Sequence, residues 1–77
     1  MIKAVGLKEI ERIFEVIEPM GISREAVVIP LRPETPGRVA IRKDGKLEIV
    51  VDQNADFDNW LATLDGRIRD AMERGRD

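Results

Sequence analysis

One short acidic stretch holds the side chains with the clearest potential for chemistry. Asp52, Asn54 and Asp56 stand two residues apart, which is how a calcium-binding loop of the EF-hand type begins. That loop also requires glycine at its sixth position and glutamate at its twelfth, where this sequence has Phe57 and Thr63. We interpret the stretch instead as the start of a helix, capped by Asn54 or Asp56. No metal site is expected.

The groups needed for nucleophilic or acid–base catalysis are scarce. The sequence has no cysteine and no histidine, so it lacks the usual general base at neutral pH. Ser23 is the only serine, Thr35 and Thr63 are the only threonines, and no histidine can activate them. No glycine-rich phosphate-binding loop is present. We therefore expect a protein that is not an enzyme and has no cofactor.

The length of the chain predicts one small domain. It has 77 residues, and we expect a single unit over 1–77 whose last residues, 75–77, fray. Below roughly 80 residues a single core rarely supplies more than about 3–5 kcal/mol. Without cysteine, no disulfide can add to that. Contact with a partner protein, or self-association, is the expected further support.

Charge and hydropathy give no support to other classes of partner. The net charge of −2 does not imply a general affinity for nucleic acid or for anionic membranes. No apolar run approaches the ~20 residues of a membrane span. The absence of cysteine fits a reducing compartment. We expect a cytoplasmic protein with no membrane contact.

Two helices are predicted from apolar residues at helical spacing. The first runs from about residue 7 to 18, and Pro19 and Gly21 give the signal for its end. The second begins near residue 54 or 56 and runs to about residue 74.

Three strands are predicted between the helices. The first covers residues 26–31 and should be an edge strand or break at Pro30, which lacks an amide hydrogen. The other two form a hairpin over residues 38–51. A two-residue turn would oppose Ile41 to Glu48, whereas a three-residue turn keeps apolar residues together on one face. The predicted pairs are therefore Val39 with Ile49 and Ile41 with Leu47.

These elements predict an α+β fold in the order α-β-β-β-α. If neighbours in sequence pair, the sheet is antiparallel with strand order 1-2-3, and both helices pack on one of its faces. Which side of the first strand faces inward stays open, because Val27, Val28 and Ile29 are all apolar. The predicted core is Leu7, Ile10, Ile13, Phe14, Ile17, Val27, Ile29, Val39, Ile41, Leu47, Ile49, Phe57, Trp60, Leu61, Leu64, Ile68 and Met72.

Two surfaces are candidates for contact with a protein partner. One is the uncovered face of the sheet, together with the free edge of the first strand. The other is the outer side of the last helix, where a glycine costs roughly 1 kcal/mol relative to alanine and leaves room for close approach. The candidate interface residues are Val28, Pro30, Arg38, Ala40, Arg42, Val50, Ala62 and Gly66.

Two charged surfaces are also predicted, one acidic on the first helix and one basic on the hairpin. Glu11, Glu15 and Glu18 form an acidic seam along the first helix, which is either simply solvated or balanced by a basic partner or by Arg67 and Arg69. The hairpin is basic but has no aromatic residue on which a base could stack. Its basic residues are Arg38, Arg42, Lys43 and Lys46.

The expected function is a non-enzymatic module for protein–protein interaction, either self-associating or bound to a larger protein. The alternative is weak binding of nucleic acid through the basic face of the hairpin.

Overall fold

A computed structural model describes residues 4–74 of the chain. Within that range the chain forms three helices and a three-stranded sheet, which confirms the α+β class. Residues 75–77, expected to fray, lie outside the described range. The elements are α1 (Leu7–Ile17), β1 (Val27–Val28), β2 (Arg38–Ile41), β3 (Leu47–Val50), α2 (Phe57–Ala62) and α3 (Leu64–Arg74).

The end of α1 follows from the local sequence. Pro19 lies in a single 3₁₀ turn, Glu18–Met20, that directly follows the helix. Gly21 then adopts a left-handed conformation with φ of 80°, which glycine tolerates without steric cost. The N–H of Ile22 donates back to the carbonyl of Ile17 at 3.3 Å, so a terminal carbonyl is satisfied. The predicted stop signal is confirmed.

The predicted last helix is interrupted at Thr63. That residue has φ of −100° and ψ of −2°, and its hydroxyl donates to the carbonyl of Trp60 at 2.8 Å. Such local side-chain bonds compete with the helical ladder, which explains why the chain forms α2 and α3 and not one helix. At the start of α2, Asp56 is the cap, with its carboxylate accepting from the N–H of Asn59 at 3.2 Å.

The order of the strands differs from the expectation. The sheet runs β1-β3-β2, with β1 parallel to β3 and β2 antiparallel to it. The antiparallel order 1-2-3 is therefore wrong. The hairpin register is confirmed, since Val39 pairs with Ile49 and Ile41 pairs with Leu47.

The physical reason for the different order lies in β3 and the residue that follows it. Ile49, Val50 and Val51 all have 0% exposure, so this strand is buried on both faces as a central strand is. The first strand is also shorter than expected. It has two residues and not six, because residues 24–26 form a 3₁₀ turn and Pro30 cannot donate to the ladder.

The connection from β1 to β2 crosses the end of β3. Glu34 pairs in parallel with Asp52, accepting from the N–H of Gln53 at 3.0 Å and donating to the carbonyl of Val51 at 3.1 Å. At Gly37 the chain passes so close that an added Cβ would lie 2.6 Å from the backbone nitrogen of Asp52. Glycine is therefore required at this crossing.

The core lies between one face of the sheet and the helices. Val27 of β1 and Ile29, just after that strand, pack against it, so these two side chains face inward. Leu7 is 72% exposed and Met72 is 37% exposed. These two predicted core residues lie near the outer ends of their helical stripes, where burial stops. The buried cluster is Val5, Ile13, Ile17, Val39, Leu47, Ile49, Val51, Trp60, Leu64, Ile68 and Ala71.

Candidate interaction surface

The outer edge of β2 carries backbone groups that the sheet does not use. In an antiparallel pair, hydrogen-bonded and non-hydrogen-bonded positions alternate. Arg42 donates its N–H to Lys46 at 2.7 Å, so the N–H and C=O of Val39 and Ile41 point away from β3. Among residues 4–74, no hydrogen bond joins these four groups to another residue. With β3 in the middle of the sheet, this edge of β2 has no neighbouring strand among the described residues, whereas the order 1-2-3 would have paired it with β1.

A groove of about 520 Å³ runs along this edge. One wall is residues 37–41, and the other is the side of α3 that packs against β2. Ala71, which is only 3% exposed, belongs to the α3 wall and carries no side chain beyond Cβ. The residues contributed by α3 are Arg67, Asp70, Ala71 and Arg74.

Positive charge predominates among the α3 residues of the groove. Arg67 donates through Nε to the hydroxyl of Thr63 at 3.0 Å and has no ion pair among the residues that the structure describes. Arg74 pairs with Asp70 at 3.0 Å. Both members of that pair are more than 60% exposed, so the pair contributes little to stability. The groove therefore has basic groups available at its rim, although the whole chain is acidic.

The predicted open face of the sheet is only partly open. Val28, Pro30 and Ala40 are half-buried, whereas Val50 has no exposed surface. Val50 lies two residues before Asp52, at the end of the sheet where the crossover passes. The predicted exposure of Val50 is therefore wrong. That prediction depends on the strand order 1-2-3, in which no crossover passes beside Val50.

The basic residues of the hairpin are neutralised in part. Arg38 pairs with Glu34 at 3.4 Å and with Glu48 at 3.5 Å. Arg42 pairs with Asp44 at 3.6 Å. These carboxylates lie where the phosphates of a nucleic acid would have to approach, which weakens the hypothesis that the hairpin binds nucleic acid.

The outer side of the last helix, which is the second predicted surface, consists of two separate parts. Ala62 lines a groove of about 690 Å³ between the end of α1 and the last two helices. Gly66 does not line that groove, and an added Cβ on it would meet nothing within 4 Å. The break at Thr63 separates the two residues, so they do not form the continuous smooth patch that one straight helix would give. The apolar members of this groove include Val16, Met20, Leu61 and Met72.

The acidic seam of α1 has one internal partner. Glu18 accepts from Arg24 at 3.0 Å. Neither Arg67 nor Arg69 pairs with the seam within residues 4–74, and Glu11 and Glu15 are exposed. Within the described residues the last helix therefore does not neutralise the acidic seam. Arg24 neutralises one of its carboxylates, that of Glu18.

The acidic stretch before α2 has a structural role. The Asp52 carboxylate accepts from the N–H of Asn54 at 2.9 Å, and Asp56 caps α2. Among residues 4–74, no group of three acidic, histidine or cysteine side chains is placed to hold a metal ion. Hydrogen bonds from the backbone of Asn54 and, to a smaller extent, Gly37 lower the pKa of Asp52 below its ordinary value.

This lowered pKa predicts an acid-dependent loss of stability. A group with a depressed folded-state pKa stabilises the fold above its unfolded pKa, about 3.9 for aspartate, and that contribution disappears as the pH falls through the folded pKa. We expect Asp52→Asn to be less stable than the wild type near neutral pH and to flatten the fall in stability below about pH 4. Urea denaturation over a pH series measures both effects.

The matched control is Glu73→Gln, which removes an exposed carboxylate without a hydrogen bond or ion pair among the described residues. It should keep the wild-type pH profile. If Asp52→Asn shows the same acid slope as the wild type, the carboxylate does not anchor the crossover.

The described helices are all too short or too polar to cross a membrane. Comparison with known proteins found no matching family model, no curated protein of significant similarity and no solved structure of significant similarity.

Proposed function

We propose that this chain is a non-enzymatic interaction module that accepts an extended segment of another protein as a fourth strand beside β2. The observation that carries the proposal is the row of unpaired backbone groups on Val39 and Ile41, next to an open groove. Unpaired strand edges are templates for strand addition. Main-chain hydrogen bonds provide the affinity in such complexes, and pockets for alternate side chains provide the specificity.

The character of β2 supports the use of this edge. Edge strands are usually protected from pairing by proline, a bulge or an inward-pointing charge. Residues 38–41 contain none of these, because the strand pairs regularly with β3 and its inward residues, Val39 and Ile41, are apolar. On the opposite edge of the sheet, by contrast, β1 has two residues and is followed by Pro30.

A heterologous segment fits this edge better than a second copy of β2. The one symmetric antiparallel register that pairs Val39 of each copy with Ile41 of the other, and so keeps both residues paired within β2, is centred on Ala40. It would set Arg38 of each copy directly opposite Arg42 of the other. Like charges directly opposed across strands are destabilising. We therefore assign the edge to a different protein.

The proposal can be tested by selecting ligands from a displayed library of random peptides against the immobilised chain. The chain is then prepared by chemical synthesis with an N-methyl group on Ile41, which removes one outward N–H and leaves the side chain unchanged. The matched control carries the N-methyl group on Lys43, in the turn beyond β2. We expect selected peptides to shift the amide NMR signals of Val39 and Ile41, and to bind the control but not the Ile41 variant.

Several results would overturn the proposal. Peptides that bind the N-methyl-Ile41 chain as well as the wild type would place the site elsewhere, and failure to select any peptide would remove the function. A concentration-dependent dimer in sedimentation equilibrium that N-methylation of Ile41 abolishes would make a second copy the occupant. Loss of peptide binding with rising salt but without dependence on Ile41 would indicate a purely electrostatic surface.

A further inference from the structure

The groove beside β2 also has features that select among extended segments. Arg67 and Arg74 are seven residues apart on α3 and lie on the same side of it, two turns or about 10 Å apart along the helix axis. Ala71 lies between them along the helix and also lines the groove. A strand lying against β2 would thus pass a basic group, a small apolar site and a second basic group in turn.

The two arginines lie at opposite ends of the groove. A Cβ added to Gly37 would lie 2.6 Å from the backbone nitrogen of Asp52, and the charge of Arg67 is a minor cause of the lowered pKa of Asp52, so both residues lie near Asp52. Arg67 is therefore at the Gly37 end of β2. Because α3 packs along β2, Arg74 lies toward the Ile41 end.

We infer that the segment bound at this edge is acidic, with carboxylate side chains at two positions four residues apart and an apolar side chain midway between them. This inference rests on the proposed strand addition and specifies its partner. In an extended strand, residues i, i+2 and i+4 face the same side and cover about 13 Å. That length matches the spacing of the two arginines once the reach of their flexible side chains is included.

The chemistry of each position follows from the groove. Arg67 has no ion pair among residues 4–74, and its Nε donates to the hydroxyl of Thr63, so the two terminal nitrogens of its guanidinium are left for a ligand carboxylate. Arg74 is held only by the exposed carboxylate of Asp70, a type of pair that is weak and readily exchanged. The small side chain of Ala71 leaves space above it for a ligand valine or leucine.

The test uses three short synthetic peptides with threonine at the outward-facing positions and valine at the central inward-facing position. The inward-facing positions on either side of the valine hold glutamate, glutamine or lysine. Binding is measured by fluorescence anisotropy at low ionic strength against the full chain. Each exposed ion pair is worth about a two- to fivefold change in affinity. We expect the glutamate peptide to bind roughly tenfold more tightly than the glutamine peptide, and the lysine peptide to bind most weakly.

Variants in α3 locate the selectivity. Arg67→Gln and Arg74→Gln should each reduce the preference for glutamate by about two- to fivefold and leave the affinity for the glutamine peptide unchanged. The matched control is Arg69→Gln, because Arg69 belongs to α3 but lines the other groove. It should keep the full preference. Circular dichroism checks that each variant is folded.

The outcomes separate this inference from the proposed function. If all three peptides bind equally and N-methylation of Ile41 abolishes binding, strand addition stands and the acidic preference is wrong. If the glutamate peptide binds best but N-methylation of Ile41 has no effect, the basic groove is real and strand addition is wrong. If no peptide binds at about millimolar concentration, both are overturned.

Discussion

Replacing Trp60 by alanine should lower the free energy of unfolding by about 3–5 kcal/mol, the usual cost of removing a large aromatic side chain from a core. Trp60 is 3% exposed and packs beside Phe57, with ring centroids 5.9 Å apart. A domain of this size has little more stability than that to lose. We expect the variant to be largely unfolded at room temperature, as measured by circular dichroism and urea denaturation.

Trp60→Phe is the informative control. The indole Nε1 is buried without a hydrogen-bond partner among the described residues, so the wild-type structure already bears the cost of an unsatisfied donor. Phenylalanine removes that donor and keeps an aromatic ring in the core. We expect a loss less than half that of the alanine variant. An alanine variant that melts within a few degrees of the wild type would refute the core position of Trp60.

Gly37→Ala should destabilise the fold by about 1–3 kcal/mol, the range for forcing extra atoms into a well-packed site. The new methyl group would lie 2.6 Å from the backbone nitrogen and 2.7 Å from the Cα of Asp52. These are main-chain atoms and cannot be displaced by a change of rotamer. The crossover must therefore separate from the end of β3. Chemical denaturation measures the loss, and hydrogen exchange should show faster exchange at Glu34 and Gln53.

Gly66→Ala provides the opposite expectation from the same substitution. Gly66 lies in α3 with open space around it, and alanine is favoured over glycine in a helix by up to about 1 kcal/mol. This variant should match or exceed the wild type in stability. If Gly37→Ala behaves in the same way, the crossover does not pass as closely to Asp52 as described.

The features that the sequence predicts correctly are set by residues close to one another in the chain. The hairpin register follows from the parity of apolar residues such as Ile41 and Leu47, and a turn one residue shorter would mix the faces. The stop at Gly21 and the cap at Asp56 depend only on adjacent backbone groups. Burial of Trp60 follows from the apolar stripe of the helix on which it lies.

The strand order required information from the whole chain. The assumption that neighbouring strands pair led to an exposed Val50, whereas the unbroken apolar run of Ile49, Val50 and Val51 is typical of a central strand. Reading that run as a sign of burial on both faces would have favoured β3 in the middle. The close passage at Gly37 has no such local signature, because a glycine after proline is equally suited to an ordinary turn.

The candidate site depended on that same order. The sequence predicts Arg38 and Ala40 on an open face, whereas the structure places them along the groove at the edge of β2. The sequence does not indicate this role for Arg67 and Arg74, because it depends on the pairing of β3 with both other strands, which leaves β2 at the edge beside α3. The sequence itself shows that the two arginines are seven residues apart with Ala71 between them. It does not show that β2 lies beside them, and without that strand the spacing indicates no binding site.

The position of β3 in the middle of the sheet has a consequence for how the molecule forms. During synthesis on the ribosome, both outer strands are made before the strand that joins them. The hairpin needs only a short turn and can close as soon as β3 emerges, whereas β1 must then find Leu47 and Glu48 across the intervening chain. Such longer-range contacts form late as a rule. Changes in Val27 or Val28 should therefore accelerate unfolding more than they slow folding, and β1 has no neighbouring strand in the nascent chain until β3 has been translated.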